Sequence, residues 1–405
     1  MHLVAVRPAI AHTRISSIVI ALCSPTAREP SQRSFHSSTL SSFRYSAVRQ
    51  AAWNSPAKMA ARSFKITDWV DPKDKSGEFK RQTSSFRDWI GRPSEEGGAV
   101  QFPVEKDRYH LYVSTACPWA TRTLIARKLK GLEDIVSVTV VHWKLAEGGW
   151  RFATAEDQDA PGEHVEPDPV PGHEDFTHLR QVYIESAEDY TGRVTVPVLY
   201  DKKQKRVVNN ESSEILRIFN SAFNDLLEPK YRNIDLYPEA LHSEIEAANA
   251  WQYDNINNGV YKSGFATTQA AYERNVVLVF DALDRAEKHL AGNTANGPYW
   301  FGKTMTEVDI RLFATIVRFD PVYVQHFKCN LADIRSGYPH LHKWMRNLYW
   351  NVSAFKDSTD FLHIKSHYTK SHTQINPFSI TPLGPKPDIF PLDEEVPAVK
   401  ASGKL

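Results

Sequence analysis

The chain has 405 residues, 41% of them hydrophobic and 24% charged, with a formal net charge of +1. That length suits two or three globular domains, and so even a balance gives no global field for nucleic acid. Three cysteines, Cys23, Cys117 and Cys329, are too few for a disulfide scaffold and fit a reducing compartment.

The charge balance hides an asymmetry. Residues 1–64 carry seven Arg and one Lys against the single acid Glu29, and without them the chain holds 41 basic and 47 acidic residues, a net −6. A Ser-rich, Arg-rich, acid-poor leader has a mitochondrial transit composition. Arg33-Ser34-Phe35-His36-Ser37-Ser38 resembles a matrix-processing site. The apolar run Ile15 to Cys23 is far too short to span a membrane. A secretory signal is the weaker alternative, because basic residues continue well past that run. Met59 offers an internal start that would yield a cytosolic form.

Residues 65–100 read as an N-terminal arm, with Trp69, Phe79, Phe86, Trp89 and Ile90 set among charges, Gly and Pro. Tyr109 to Val113 alternates as a strand, Ser114 to Ala116 turns, and Cys117-Pro118 opens a helix running from Trp119 to Lys130. Val136 to Val141 is a second strand. Lys144 to Asp175 is an acidic, Gly/Pro-rich loop, long enough to expect a purpose. A helix follows over Leu179–Tyr190. Thr195 to Tyr200 reads as a strand carrying Pro197, which a central strand avoids. Arg206 to Val208 returns, and a helix opens at Glu211-Ser212, with Ser212 as its natural cap. The order βαβα then ββα, with Cys-Pro after the first strand and a Val-Pro step later, is a thioredoxin-like arrangement, and the Val-Pro bond is expected to be cis.

From Pro238 the pattern turns helical. Val276, Phe280, Leu283 and Leu290 mark one face of a helix over Thr268–Leu290. Further helices are expected at Glu239–Asn255, Val308–Phe319 and Leu341–Trp350. Past Tyr368 the chain is Pro-rich and reads as extended or disordered. The expected layout is therefore a presequence at 1–64, an arm at 65–100, a thioredoxin-like domain at 101–230, an all-helical domain at 231–370 and a tail at 371–405. The fold class is α/β plus all-α.

The chemistry points to Cys117. Unpaired N–H groups and the dipole at a helix start favour a thiolate, which makes Cys117 a candidate low-pKa nucleophile. The bland alternative is a buried cysteine packing as a small hydrophobe. Ala120 stands where a second cysteine would complete Cys-x-x-Cys, so an external thiol must resolve any intermediate, and the chemistry is monothiol. Cys329 reads as core. Gly297 to Thr304 matches the phosphate-loop pattern letter for letter, but it follows a helix and holds Pro-Tyr-Trp-Phe, so the match is rejected. Thr306 and Asp309 are instead spaced as a capping box, with Met305 and Ile310 as its staple. Sixteen histidines show no metal spacing, and no catalytic metal is expected. No nucleophile elbow is present. Tyr253 to Lys262, Phe319 to Tyr323 and Ser366 to Tyr368 are polar-aromatic, and periodicity alone leaves them as surface.

These residues together resemble the xi-class glutathione transferases, the S-glutathionyl-hydroquinone reductases. The match runs over residues 65–382 and rests on Cys-Pro-Trp-Ala at 117–120, Val-Thr-Val-Pro at 194–197, Glu-Ser at 211–212, Asn-Asn-Gly-Val-Tyr at 257–261 and Arg-Phe-Asp-Pro-Val-Tyr at 318–323. The resemblance implies a thioredoxin-like domain followed by the helical domain of glutathione transferases, in a homodimer. It implies Cys117 as nucleophile and Tyr261 as proton donor, with Tyr323 and Tyr368 stabilising the thiolate. It implies that Trp150 packs on glutathione, that Arg193, Val194, Thr195 and Val196 bind its peptide backbone, and that Glu211 and Ser212 hold its γ-glutamyl end. Glutathione is then a cosubstrate, glutathionylated quinols are the partners, and no cofactor is bound. The rival enzyme is an omega-like thioltransferase or dehydroascorbate reductase. The non-enzymatic rival is a glutathione-transferase-fold assembly module, which has no need of Cys117.

Overall fold

The computed structural model describes residues 75–93, 99–293 and 295–394. The expected presequence, Cys23, Met59, Trp69 and the end of the tail (395–405) lie outside the described residues.

One four-stranded sheet is built in the order β2-β1-β5-β6. β1 (Tyr109–Val113) runs parallel to β2 (Val136–Val140) and antiparallel to β5 (Val198–Asp201), which pairs with β6 (Arg206–Asn209). α1 (Pro118–Leu129) crosses from β1 to β2, as a parallel pair requires. α2 (Leu179–Ser186) precedes β5, and α3 (Ser212–Ser221) follows β6 and packs beside α1. β1 is buried at every position because the sheet is covered on both faces. Even His110 is buried, bonded across the ladder to Ser137 (2.7 Å) and Thr139 (3.0 Å) of β2. Val196–Pro197 is cis, as expected. The proline stands just ahead of β5 rather than inside it, so no ladder bond is lost to its missing N–H.

The long acidic loop does have internal order. It contains a small hairpin, β3 (Leu145–Ala146) with β4 (Gly149–Trp150). Further along, Asp168 accepts from Tyr112 Oη at 2.9 Å, and His173 lies between Asp168 (2.7 Å) and Glu185 of α2 (2.9 Å). Burial pushes the His173 pKa down, but hydrogen bonds and charge from the two carboxylates outweigh it and lift the pKa to about 8. A charged histidine between two acids therefore staples this loop to the sheet at neutral pH.

The second half is helical: α4 (Pro229–Arg232), α5 (His242–Gln252), α6 (Gly259–Gly264), α7 (Gln269–Asn293), α8 (Glu307–Ile316), α9 (Ile334–Gly337), α10 (Pro339–Asn351), α11 (Ser353–Lys356) and α12 (Phe361–Ser371). The expected helices are present with ends moved by a few residues. Between α5 and α6 the chain makes a wide turn in which Asn258 N–H reaches back five residues to Tyr253 O (2.8 Å). Such bulges re-aim the residues that follow them. Gly259 is needed there, since a Cβ would meet Val279 Cγ2 of α7 at 2.8 Å. Among the helices that the sequence pattern does not announce, the longest is α12, beside the short α4, α6, α9 and α11. Its buried face carries His363, Ser366, His367, Thr369 and Ser371, so no apolar stripe announces it.

The segment matching a phosphate loop follows α7 and folds back on itself through bridges Tyr299–Gly302 and Phe301–Thr304, with Trp300 buried. The capping box is present. Thr306 Oγ1 accepts from Val308 N–H (3.3 Å), and Asp309 accepts from Thr306 N–H (3.0 Å). The other Asp309 oxygen takes Trp300 N–H (2.7 Å) and the Trp344 indole (2.9 Å). Of the two expectations for the tail, extended or disordered, residues 372–394 follow the first. They are non-helical but docked, through Lys365 to Asp388 (2.6 Å) and the Trp350 indole to Phe390 O (2.9 Å).

Asp309→Ala breaks the capping box and leaves three buried N–H donors unpaired. It should cost about 2–4 kcal/mol in denaturant unfolding. A cost below about 1 kcal/mol would mean that water replaces the carboxylate there.

Candidate active site

Cys117 occupies the N-cap of α1 with extended backbone (φ −80°, ψ 120°), and Pro118 follows at the first helical position. The thiol donates to Val196 O at 3.6 Å, so it faces the segment leading into the cis-proline. Burial pushes the Cys117 thiol up. The N–H groups of Ala120 and Trp119 and the charges of Arg318 and Arg81 pull the other way without overcoming it. This corrects the expectation of a depressed pKa. A helix start alone does not ionise a thiol whose surroundings hold it partly away from water.

The three expected tyrosines come together from three elements: Tyr261 from α6, Tyr323 from the turn after α8, and Tyr368 from α12. Tyr261 Oη and Tyr368 Oη are 2.5 Å apart, and Tyr323 Oη lies 3.0 Å from Tyr368 Oη. All three are buried, and burial pushes all three pKa values well above 10, so they remain phenols at neutral pH. Tyr261 packs edge-on to Trp119 of α1 (4.9 Å between rings) and lies near enough for charge on Cys117 to raise its pKa. Among the described residues, neither Tyr323 nor Tyr368 hydrogen-bonds the Cys117 sulfur.

The expected glutathione-binding residues take up fixed positions. Tyr183 of α2 donates to Thr195 O (2.8 Å) and accepts from Thr195 N–H (3.3 Å), while Tyr190 donates to Arg193 O (2.8 Å). Val194 and Val196 are buried. Glu211, not Ser212, is the N-cap of α3, because its longer carboxylate reaches the Ser213 N–H (3.2 Å). Ser212 is buried at the first helical position and accepts from Arg122 Nη1 at 3.4 Å. Trp150 is buried in β4 and stacks on His367 of α12 (5.0 Å, 23°), one residue from Tyr368.

Two functional candidates escaped the sequence reading. Arg81 arrives on the arm, which Phe79 anchors by burial. Its guanidinium lies 3.8 Å over the Trp119 ring and 5.2 Å from the Tyr261 ring, and its Nε donates to Asn258 Oδ1 (2.8 Å). Arg81 Nη2 is buried without a hydrogen-bond partner. Nothing in the polar sequence around Arg81 marks it. Arg318, by contrast, is a charge that ends an apolar helix, and a fully buried one.

His142, Asp157 and Asp159 have a metal-like composition, with donor atoms within 4.8 Å of one another. The donor set does not fit. Lys144 N–H donates to His142 Nδ1 (3.0 Å), so the ring proton sits on Nε2, which faces Asp157 and Asp159 at 3.7 and 3.6 Å. A protonated Nε2 has no lone pair for a metal. Adding Zn²⁺ to EDTA-treated protein should therefore leave Tm unchanged. A Tm that climbs with Zn²⁺ concentration and is lost in His142→Gln would contradict this.

The family model "Glutathione S-transferase, N-terminal domain" matches residues 116–222, and "Glutathione S-transferase, C-terminal domain" matches 269–347. Glutathione S-transferase omega-like 2 of Schizosaccharomyces pombe is 52% identical over 325 residues, covering 80% of this chain and 97% of the relative. The glutathionyl-hydroquinone reductase YqjG of Escherichia coli is 47% identical over 323 residues, covering 79% and 93%. The crystal structure of the Xi glutathione transferase ECM4 of Saccharomyces cerevisiae in complex with glutathione aligns with a TM-score of 0.73 at 45% identity, covering 78% of this chain and 100% of that one. With a thioredoxin-like half, a helical half and relatives of this closeness over nearly their whole lengths, the chain belongs to the xi class of the glutathione transferases.

Proposed function

We propose that this enzyme removes glutathione from S-glutathionyl-hydroquinones through a mixed disulfide on Cys117. The observation that carries the reading is a lone thiol on the α/β half with a protonated, hydrogen-bonded phenol beside it on the helical half. The names of relatives such as the Escherichia coli reductase support the substrate class.

In the first step the Cys117 thiolate attacks the sulfur of the glutathionyl-hydroquinone. The S–S bond forms, the C–S bond breaks, and its electron pair leaves on the ring carbon. That carbon must take a proton. Tyr261 supplies it, and hydroquinone is released. In the second step glutathione thiolate attacks the mixed disulfide, giving oxidised glutathione and the Cys117 thiolate, while a proton from the incoming thiol restores Tyr261. The thiol's raised pKa makes each thiolate costly, so the rate depends on whatever lowers that cost on substrate binding.

Three phenols joined by two hydrogen bonds have three protons, and two are used within the chain. If Tyr323 donates to Tyr368 and Tyr368 to Tyr261, the third proton is that of Tyr261, free to leave. Tyr323 and Tyr368 then act through Tyr261 and stabilise the phenolate that proton transfer creates. Glutathione is the cosubstrate. Its peptide backbone lies along Arg193 to Val196, its γ-glutamyl end meets Glu211 and Ser212, and Trp150 packs on it. The glutathione-bound yeast relative supports a glutathione site in this fold. The family resemblance supports a homodimer, and residues 1–64 support mitochondrial import, with a cytosolic form starting at Met59. A reporter fused to residues 1–64 should enter mitochondria, and one that stays cytosolic contradicts the import reading.

Tyr261 separates this reading from an omega-like thioltransferase, an alternative for which the fission yeast relative's name supports the omega-like class alone. A disulfide substrate releases a thiolate, which needs little acid help, whereas a ring carbon needs a proton as the bond breaks. Tyr261→Phe should lose on the order of 10²-fold or more in kcat/KM on glutathionyl-menadiol. It should lose far less on glutathionylated 2-mercaptoethanol. Equal losses on both would assign Tyr261 to binding. Dehydroascorbate turnover exceeding that of glutathionyl-menadiol would favour the thioltransferase.

A further inference from the structure

Arg318 lies at the end of α8, and its side chain has no exposure to solvent. Its Nε donates to Ala116 O (3.0 Å), its Nη2 to Thr115 O (2.7 Å) and Thr121 Oγ1 (2.7 Å), and its Nη1 to Ala314 O (2.5 Å). All four acceptors are neutral oxygens. Three of them belong to the turn and first helical turn that carry Cys117. Two arginines nearby are balanced by an acid, since Arg217 and Arg311 share Glu307, whereas buried Arg122 bonds Ser212 Oγ (3.4 Å) with a single nitrogen and, unlike Arg318, reaches nothing in the turn before Cys117. Among the described residues, no carboxylate bonds Arg318.

A guanidinium taken wholly out of water costs several kcal/mol unless an anion answers it. Carbonyl dipoles supply part of the answer. The group a few bonds beyond those carbonyls that can carry a full negative charge is the Cys117 sulfur. We propose that Arg318 is the built-in counter-charge of the Cys117 thiolate, a positioning residue through which the helical half sets the reactivity of a nucleophile on the other half. The inference rests on Cys117 being the reacting thiol, but not on any particular substrate.

The groups that face the thiol from the elements around it are few. The N–H groups of Trp119 and Ala120 come from α1, Arg81 from the arm, Tyr261 from α6, and Arg318 from the end of α8. Tyr261 is neutral, so the two guanidiniums are the charges that oppose burial. They differ in kind. Arg81 rides on an arm and is partly exposed, while Arg318 is enclosed and held by four bonds, so solvent screens it far less.

The test reads the thiol directly. The rate of Cys117 alkylation by iodoacetamide is followed against pH in the full chain and assigned by peptide mapping. Buried Cys329, whose pKa burial raises to about 12, should stay unmodified. Arg318→Gln keeps an amide donor for the carbonyls and drops the charge. Its alkylation midpoint should move up by about one pH unit or more, a tenfold loss of thiolate at a fixed pH below it. Arg318→Lys keeps the charge and should recover most of that shift, even though it cannot make the same bonds. Far-UV circular dichroism and Tm establish that each variant is folded. If the glutamine variant does not fold, the lysine variant decides: a midpoint near that of wild type supports the charge role, and one raised by a unit or more overturns it. A folded glutamine variant that titrates like wild type also overturns the proposal, leaving Arg318 a structural tie. A wild-type profile in which Cys117 is never alkylated would instead count against Cys117 as the reacting thiol.

Discussion

Helix α1 is buried from Pro118 to Arg127, on every side rather than along one stripe. It is the wall shared by the two halves. It packs against α3 of the α/β half and against α8 of the helical half, and the thiol sits at its first turn. A helix enclosed all round is normally apolar. This one carries Thr121, Arg122, Thr123 and Arg127, so each must be answered from its neighbours. Thr121 meets Arg318, Arg122 meets Ser212, Thr123 bonds Ala120 O, and Arg127 bonds Val136 O. The Thr121–Arg318 bond is the one of these that joins the halves, while the others tie α1 to its own half or to itself.

The same burial sets the chemistry. It raises the cost of a thiolate on Cys117, and it keeps Tyr261, Tyr323 and Tyr368 protonated. A buried phenol can give up a proton at neutral pH only if its anion is stabilised at once. The hydrogen bonds among the three phenols provide that. A half-buried thiol whose pKa burial has raised loses its proton more readily beside positive charge, and two guanidiniums pull in that direction. In the proposed reaction one low-dielectric cleft would tune both acid and nucleophile, with separate polar groups serving each.

Much of this was legible in the sequence because it is local. The Cys-Pro helix start, the Val-Pro step, the capping box and the apolar face of α7 each follow from a few neighbouring residues. What was not legible depends on tertiary contact. Glu211 displaces Ser212 as cap because its reach suits the turn after β6. α12 hides because its buried face is polar and finds partners far away in sequence, such as Trp143 O for His367 (2.8 Å) and the Leu145 N–H for Ser371 (3.0 Å). Arg81 is placed by Phe79 packing on the body, which no pattern in the arm announces. The direction of the Cys117 pKa is hidden for the same reason: the helix start is local, but the burial that opposes it is tertiary.

The central claim is that Cys117 carries the glutathione during turnover. It is tested most directly by mixing the enzyme with glutathionyl-menadiol in the absence of free glutathione and following intact mass, peptide maps and released menadiol together. The account predicts one glutathione adduct per chain, on Cys117, formed in step with one menadiol and cleared when glutathione is added. Menadiol released with no adduct on Cys117, or an adduct confined to another cysteine, would contradict it.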